Sequence, residues 1–199
     1  MEKVRIYYCF SRQIEENEKR IRNMLTDEEN AKADRLPKRD GALLSLGSSY
    51  LKHRFVSGNI YASPFGKPYA DDIFFSISHS CDIIGIAFSS VGEIGLDIEK
   101  DRDEKDGYKK LSDYCLSGGE KSSGEAFLTL FTAKESLAKA EGMGLSRGIK
   151  SIPALPLDGT VNYEGKSYYR KRLIIPHYRI SVCVCSGEFE IKAQQITDF

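Results

Sequence analysis

The sequence predicts an α+β fold in which helices alternate with blocks of antiparallel strands. Three observations carry that prediction. Apolar residues recur at helical spacing in residues 37–58 and again in 127–140. The runs IFFSIS, DIIGIAFS and EIGLDIE follow one another with turn residues between them. The last part of the chain is β-rich, with DG and EG as turn signals. At 199 residues, 41% hydrophobic and 29% charged, the chain suffices for one large domain or two small halves around a core.

In chain order, VRIYYCF reads as a first strand. QIEENEKRIRNMLTDEENAKADRL reads as helix broken at Thr26, which offers an N-cap with Glu29 three residues on. Pro37 is placed to open the next helix, whose Leu43, Leu46, Tyr50, Leu51 and Phe55 fit helical spacing and which ends near Gly58. SPFGKPY is turn chemistry. The three strand runs that follow have the short connections of an antiparallel meander. KDRDEKDGYKKLSD reads as a loop or short helical segment, and GEAFLTLFTAKESLAKAEG as a helix ending at Gly142. SIPAL, TVNYEG, SYYRKRLII, YRISVCVC and FEIKAQQI read as strands. Each half of the chain, 1–100 and 101–199, therefore offers helix plus antiparallel strands.

Charge narrows the partners. Lys+Arg and Asp+Glu both number 29, so no overall basic excess points to nucleic acid, and a polyanionic ligand would need a local cluster. The five cysteines fit no disulfide framework and suit a reducing compartment. Cys183 and Cys185 share a strand face with Ser181 and read as core. MEKVRIYYCFSRQ lacks a signal-peptide core, and no apolar run reaches bilayer length. The expectation is a cytoplasmic protein with no membrane partner.

Three places can carry chemistry. In GEIGLDIEK, Ile94, Leu96 and Ile98 share one strand face, which leaves Asp97 and Glu99 side by side on the other, beside Gly95. Such a pair chelates one hard cation or lies on a wet face. In the 127–140 helix, Phe127, Leu130, Phe131, Leu137 and Ala138 form an apolar stripe; Lys134 and Glu135 fall inside it and Lys139 at its edge. Those charges are paired or ligand-bound, or Glu135 and Lys139 form an i,i+4 surface pair on a rotated helix. In FFSISHS, Ser78 and His79 end a strand just before a turn, as binding residues or as a solvated turn. They point to opposite faces, and no G-x-S-x-G elbow is present, so a hydrolase triad is not indicated.

Together and in order, F-S-I-S-H-S, G-L-D-I-E-K and F-T-A-K-E-S-L-A-K-A-E-G-M-G-L, preceded by G-K-P at Gly66, Lys67 and Pro68, resemble the signature of the 4'-phosphopantetheinyl transferases. The G-K-P points to the larger, two-half subclass that includes the surfactin-synthetase activator. The resemblance implies two similar halves related by a pseudo-two-fold, each an antiparallel sheet with a long packed helix, and coenzyme A between them. It implies transfer of the phosphopantetheine arm of coenzyme A to a serine of an acyl or peptidyl carrier protein, with release of 3',5'-ADP. Asp97, Glu99 and Glu135 would hold Mg2+, and Glu135 could take the serine proton. Lys139 would contact the pyrophosphate, Ser78 and His79 phosphate oxygens, and Lys67 and Pro68 the nucleotide. Glu120 matches an acidic position whose role stays open. The two-half subclass needs no partner chain, so a monomer is expected.

Departures from the pattern lie in the N-terminal helices and around the long helix. Lys32 matches one basic residue expected at the 3'-phosphate, whereas Glu29 and Leu43 stand where two others would be. Arg35, Lys38 and Arg39 lie nearby. Phe131 replaces a tryptophan and Met143 a lysine. Alternatives are a coenzyme A-binding protein that no longer transfers, or a Mg2+-dependent hydrolase of the same pyrophosphate. Lys105, Lys109 and Lys110 could meet an acidic carrier protein or belong to an ordinary charged loop.

Overall fold

Val4 and Ile6 point to one face of the first strand and Tyr7 and Cys9 to the other. Each face meets its own apolar cluster, so the strand is covered on both sides. A computed structural model describes residues 2–101, 107–144 and 148–199. Its elements are β1 (Glu2–Phe10), α1 (Ser11–Glu16), α2 (Glu18–Arg22), α3 (Asp27–Asp34), α4 (Arg39–Phe55), β2 (Tyr61–Ala62), β3 (Pro68–Tyr69), β4 (Phe74–Ser80), β5 (Ile83–Ser89) and β6 (Ile94–Lys100). They continue with α5 (Gly107–Cys115), α6 (Gly118–Lys121), α7 (Phe127–Glu141), a 3-10 turn at Ile149–Ser151, β7 (Gly159–Tyr163), β8 (Lys166–Ile175), β9 (Tyr178–Val184) and β10 (Phe189–Gln195).

The fold is mixed α+β. Two four-stranded sheets, in the orders β10-β1-β5-β4 and β6-β9-β8-β7, pack face to face through Val4, Ile6, Ile83 and Ala87 against Leu96, Ile98, Ile180 and Val182. On the outer face of the first sheet lies α4, through Leu43, Leu46, Tyr50 and Leu51. On the outer face of the second lies α7, through Leu137, Ala138 and Ala140 against Tyr168 and Cys183. The layers therefore run helix, sheet, sheet, helix. Cys183 packs in the core as expected.

Several boundaries match the sequence. Thr26 and Glu29 form a reciprocal capping box, each bond 3.2 Å, and Gly142 ends α7 in a left-handed conformation at φ +90°. An additional break at Asn17 separates α1 from α2. α5 gives the charged segment its helix, and its Lys109 and Lys110 are exposed; Lys105 lies outside the described residues.

Three expectations need correction. The strands β4, β5 and β6 do not form a meander: β4 and β5 pair as a hairpin, but β6 leaves to pair antiparallel with β9. SIPAL is not a strand, because its backbone carbonyls at Pro153 and Ala154, with that of Pro156, accept from the fully buried Arg170 guanidinium at 2.6–2.9 Å rather than from a neighbouring strand. Strand pairing also departs from two purely antiparallel sheets. β6 belongs to the second sheet, and β10 returns to pair with β1. That pairing is parallel, so the first sheet is not wholly antiparallel.

Candidate active site

β6 and α7 approach more closely than side chains normally allow because residue 95 has none. A Cβ on Gly95 would stand 1.9 Å from the Ser136 carbonyl oxygen and 2.4 Å from the Ala140 nitrogen, so the helix backbone lies directly on the strand. Below this contact Ser136 and Ser181 hydroxyls meet at 2.8 Å. The close approach brings Glu135 and Lys139 over the face of β6 that carries Asp97 and Glu99.

Asp97 is 5% exposed, so this face is not wet at its centre. Its Oδ1 accepts from Lys139 Nζ at 2.7 Å and from Ser78 Oγ at 3.2 Å, while its Oδ2 is buried with no hydrogen-bond partner. Burial pushes its carboxyl above the usual range despite the help of Lys139, Ser78 and the Ile98 N–H. Glu135 is also raised, first by burial and then by the negative charge of Asp97, with Glu99 adding to it and Lys139 opposing. The three carboxylates thus share one electrostatic space. Glu99 is half-buried and accepts from Ser80 Oγ at 2.8 Å.

Among the described residues no three metal-ligating side chains are already gathered at coordination distance. The donor set nevertheless fits a hard divalent cation, since it consists of carboxylate oxygens. The orphaned Oδ2 of Asp97 is a ligand position without a protein partner, and a cation there would offset the repulsion that raises Glu135.

A family model described as the 4'-phosphopantetheinyl transferase superfamily matches residues 93–183, from the residue before β6 through most of β9. The chain is also 28% identical to 4'-phosphopantetheinyl transferase Sfp of Bacillus subtilis (strain 168) over 203 aligned positions, covering 88% of each chain. The chain resembles the 4'-phosphopantetheinyl transferase superfamily over these stretches. A second member, 4'-phosphopantetheinyl transferase ffp of Bacillus subtilis, is 32% identical over 147 residues, 64% of this chain and 63% of that one. A third, 4'-phosphopantetheinyl transferase AcpT of Salmonella typhi, is 34% identical over 89 residues, 39% of this chain and 46% of its own. The extent of the Sfp alignment supports the larger subclass that the G-K-P segment suggested.

The family's other candidate residues fall in different places. Ser78 is buried in the carboxylate site, whereas His79, next along β4, points away and is exposed. Burial of its inner edge, then the charge of Lys139, lower the His79 imidazole pKa. Lys67 and Pro68 sit on the β2–β3 hairpin, where Lys67 Nζ bonds Glu93 and the Ala140 carbonyl near the C-terminus of α7. Lys32 is exposed on α3. Glu29, one turn earlier, faces α4, with its carboxylate 2.7 Å from His53 Nε2 and 3.6 Å from Lys52 Nζ. Burial works against its charge, but Thr26, His53 and Lys52 outweigh burial and lower its pKa. Phe131, in the tryptophan position, packs against Phe127 with centroids 5.5 Å apart.

Glu120 acquires a structural role. It caps α6 through the Ser117 N–H at 2.7 Å, accepts the Ala154 N–H at 2.8 Å and pairs with Lys134 Nζ at 2.8 Å. Lys134 is fully buried and also donates to the Ile152 carbonyl. The two inner-stripe charges of α7 therefore divide: Lys134 serves the fold, and Glu135 faces the site. Sequence reasoning missed Ser80, although the alternation of Ser76, Ser78 and Ser80 along β4 was available as a signal.

Among the described residues no helix is long and apolar enough to cross a membrane.

Proposed function

We propose that this chain moves the 4'-phosphopantetheine arm of coenzyme A onto a serine hydroxyl of an acyl or peptidyl carrier protein, with Asp97, Glu99 and Glu135 holding Mg2+. The observation that carries this reading is the packing of α7 on Gly95, which sets Glu135 and Lys139 against Asp97 beside the buried, unpartnered Oδ2. In the reaction the serine oxygen bonds to the phosphorus that bears the pantetheine. The bond from that phosphorus to the bridging oxygen breaks, and the oxygen leaves with 3',5'-ADP. Bound magnesium would supply charge neutralisation on the transferring phosphoryl group.

The chain's residues do the rest. Glu135, with its raised pKa, accepts the serine proton directly or through water. Lys139 turns from Asp97 toward the pyrophosphate and stabilises the leaving phosphate. Asp97 is held in place by Ser78, and the exposed His79 meets phosphate oxygens. Lys67 and Pro68 line the nucleotide, and Lys32 contributes to the 3'-phosphate. A pseudo-two-fold relation between halves is supported by element order: β1, α4, β4, β5 repeats as β6, α7, β8, β9, with the first strand pairing antiparallel to the last in each. Because one chain supplies both halves, we read the enzyme as a monomer, and as cytoplasmic.

Intact-mass spectrometry of apo carrier proteins, incubated with the protein, coenzyme A and Mg2+, tests the proposal. Gain of one phosphopantetheine mass, lost with EDTA and with Glu135→Ala, is the expected result. Coenzyme A binding without mass gain on fatty-acid or peptide-synthetase carriers would instead identify a binder that no longer transfers. Coenzyme A cleavage without any carrier would identify a hydrolase.

A further inference from the structure

β6 lies at the edge of its sheet beside β4, so its outward N–H groups need acceptors from outside the ladder. Serine hydroxyls of β4 supply them. Ser76 Oγ accepts from Leu96 N at 3.0 Å, Ser78 Oγ from Ile98 N at 3.3 Å and Ser80 Oγ from Lys100 N at 3.1 Å. Toward the backbone the three are equivalent, and all are buried at 5–6% exposure.

Toward the carboxylates they differ. A hydroxyl that accepts an N–H still has its own proton to donate. Ser78 donates to Asp97 and Ser80 to Glu99, while Ser76 lies opposite Gly95, which offers no carboxylate. Glu99 has one more rotatable bond than Asp97 and is less buried, so it loses more freedom on being fixed. A charge-assisted O–H···O contact at 2.8 Å removes that freedom at one oxygen.

We infer that Ser80 is a positioning residue that orients Glu99 for the metal through its hydroxyl proton, while the same oxygen anchors β6 through Lys100. The inference rests on the reading of Glu99 as a metal ligand. It assigns Ser80 an effect on cation binding separable from its part in the inter-sheet seam.

The test compares Ser80→Ala, Ser80→Thr and Ser76→Ala in the full chain, with Mn2+ binding followed by electron paramagnetic resonance in the presence of coenzyme A. Ser76→Ala removes a seam contact without touching a carboxylate, and Ser80→Thr keeps the hydroxyl. We expect Ser80→Ala to weaken Mn2+ binding by about tenfold, the usual scale for an outer-shell partner, with Ser76→Ala within about twofold of wild type and Ser80→Thr largely restored. The KM for Mg2+ should rise with kcat at saturating metal little changed. Equal weakening in Ser76→Ala and Ser80→Ala, or no weakening in Ser80→Ala, overturns the inference. If the wild-type chain takes up no Mn2+, the metal assignment itself falls and this inference with it.

Discussion

Lys139 Nζ stands 2.7 Å from Asp97 Oδ1 and 3.0 Å from Ser78 Oγ, so an ammonium on α7 neutralises the most buried carboxylate of β6. Asp97 is 5% exposed; without Lys139 its charge would have no cationic partner at contact distance among the described residues.

Replacing Lys139 with methionine should therefore cost stability as well as transfer. We expect a loss of about 1–3 kcal/mol, below the value for a fully buried pair because the Lys139 side chain is 31% exposed. Asp97→Asn in the same chain should recover much of the stability and none of the activity, as read by urea melts and carrier-protein mass. Equal stability of the single and double variants would argue against the ion pair.

Gly95→Ala should be worse than its single methyl suggests. The new Cβ meets α7 backbone at 1.9 and 2.4 Å, and backbone cannot rotate away as a side chain can. Overpacking of this kind costs about 1–3 kcal/mol or more. Folded variant protein should have lost transfer, because α7 must lift from β6 and carry Glu135 and Lys139 with it. Wild-type transfer by Gly95→Ala would show that this contact does not set the site.

Glu120→Gln separates scaffold from chemistry. It leaves the Lys134 ammonium buried without its counter-charge, a change expected to cost about 3–5 kcal/mol. Thermal unfolding should reveal that loss, while kcat below the melting temperature stays close to wild type. A large fall in kcat with unchanged stability would return Glu120 to the chemistry.

Glu18 predicts part of the acid response. It binds Arg22 at 2.8 Å and Arg39 at 3.2 Å, clamping α2 to α4. Its pKa falls from 4.5 to about 2, chiefly through the hydrogen bond from Arg39. A depressed carboxylate contributes stability that is fully present above the unfolded value near 4.5 and lost as pH drops toward 2. After discounting for the surface setting, Glu18→Gln should remove about 1 kcal/mol at pH 7 and flatten the fall in stability below pH 4.5. Denaturant melts across that range measure the difference.

Deletion of residues 188–199 should unfold the first sheet although it removes nothing from the carboxylate site. β10 supplies the parallel partner of β1, Phe189 is fully buried between the sheets, and Phe199 stacks on Tyr50 at 5.2 Å. Circular dichroism and solubility of the truncated chain check this; a folded, active truncation would refute the dependence.

The sequence by itself determined the local features and the likeness to the superfamily. Alternation in GLDIE put Asp97 and Glu99 on one face, Gly142 ended α7, and the ordered motifs from Gly66 to Ser146 carried the resemblance to the superfamily. Those signals are short-range: strand period, helix period and cap chemistry lie within a few residues of each other. Which charge met which partner was decided by the tertiary structure. Lys134 and Lys139 lie on the same helix, yet one is buried on Glu120 and the other reaches Asp97 across the Gly95 contact. Strand partners were decided there too, since β6 leaves β5 for β9 and β10 returns to β1. Periodicity gives a residue its face. The partner on that face depends on how distant segments pack, and for β6 that packing joined the Ser76, Ser78 and Ser80 hydroxyls to the strand that carries Asp97 and Glu99.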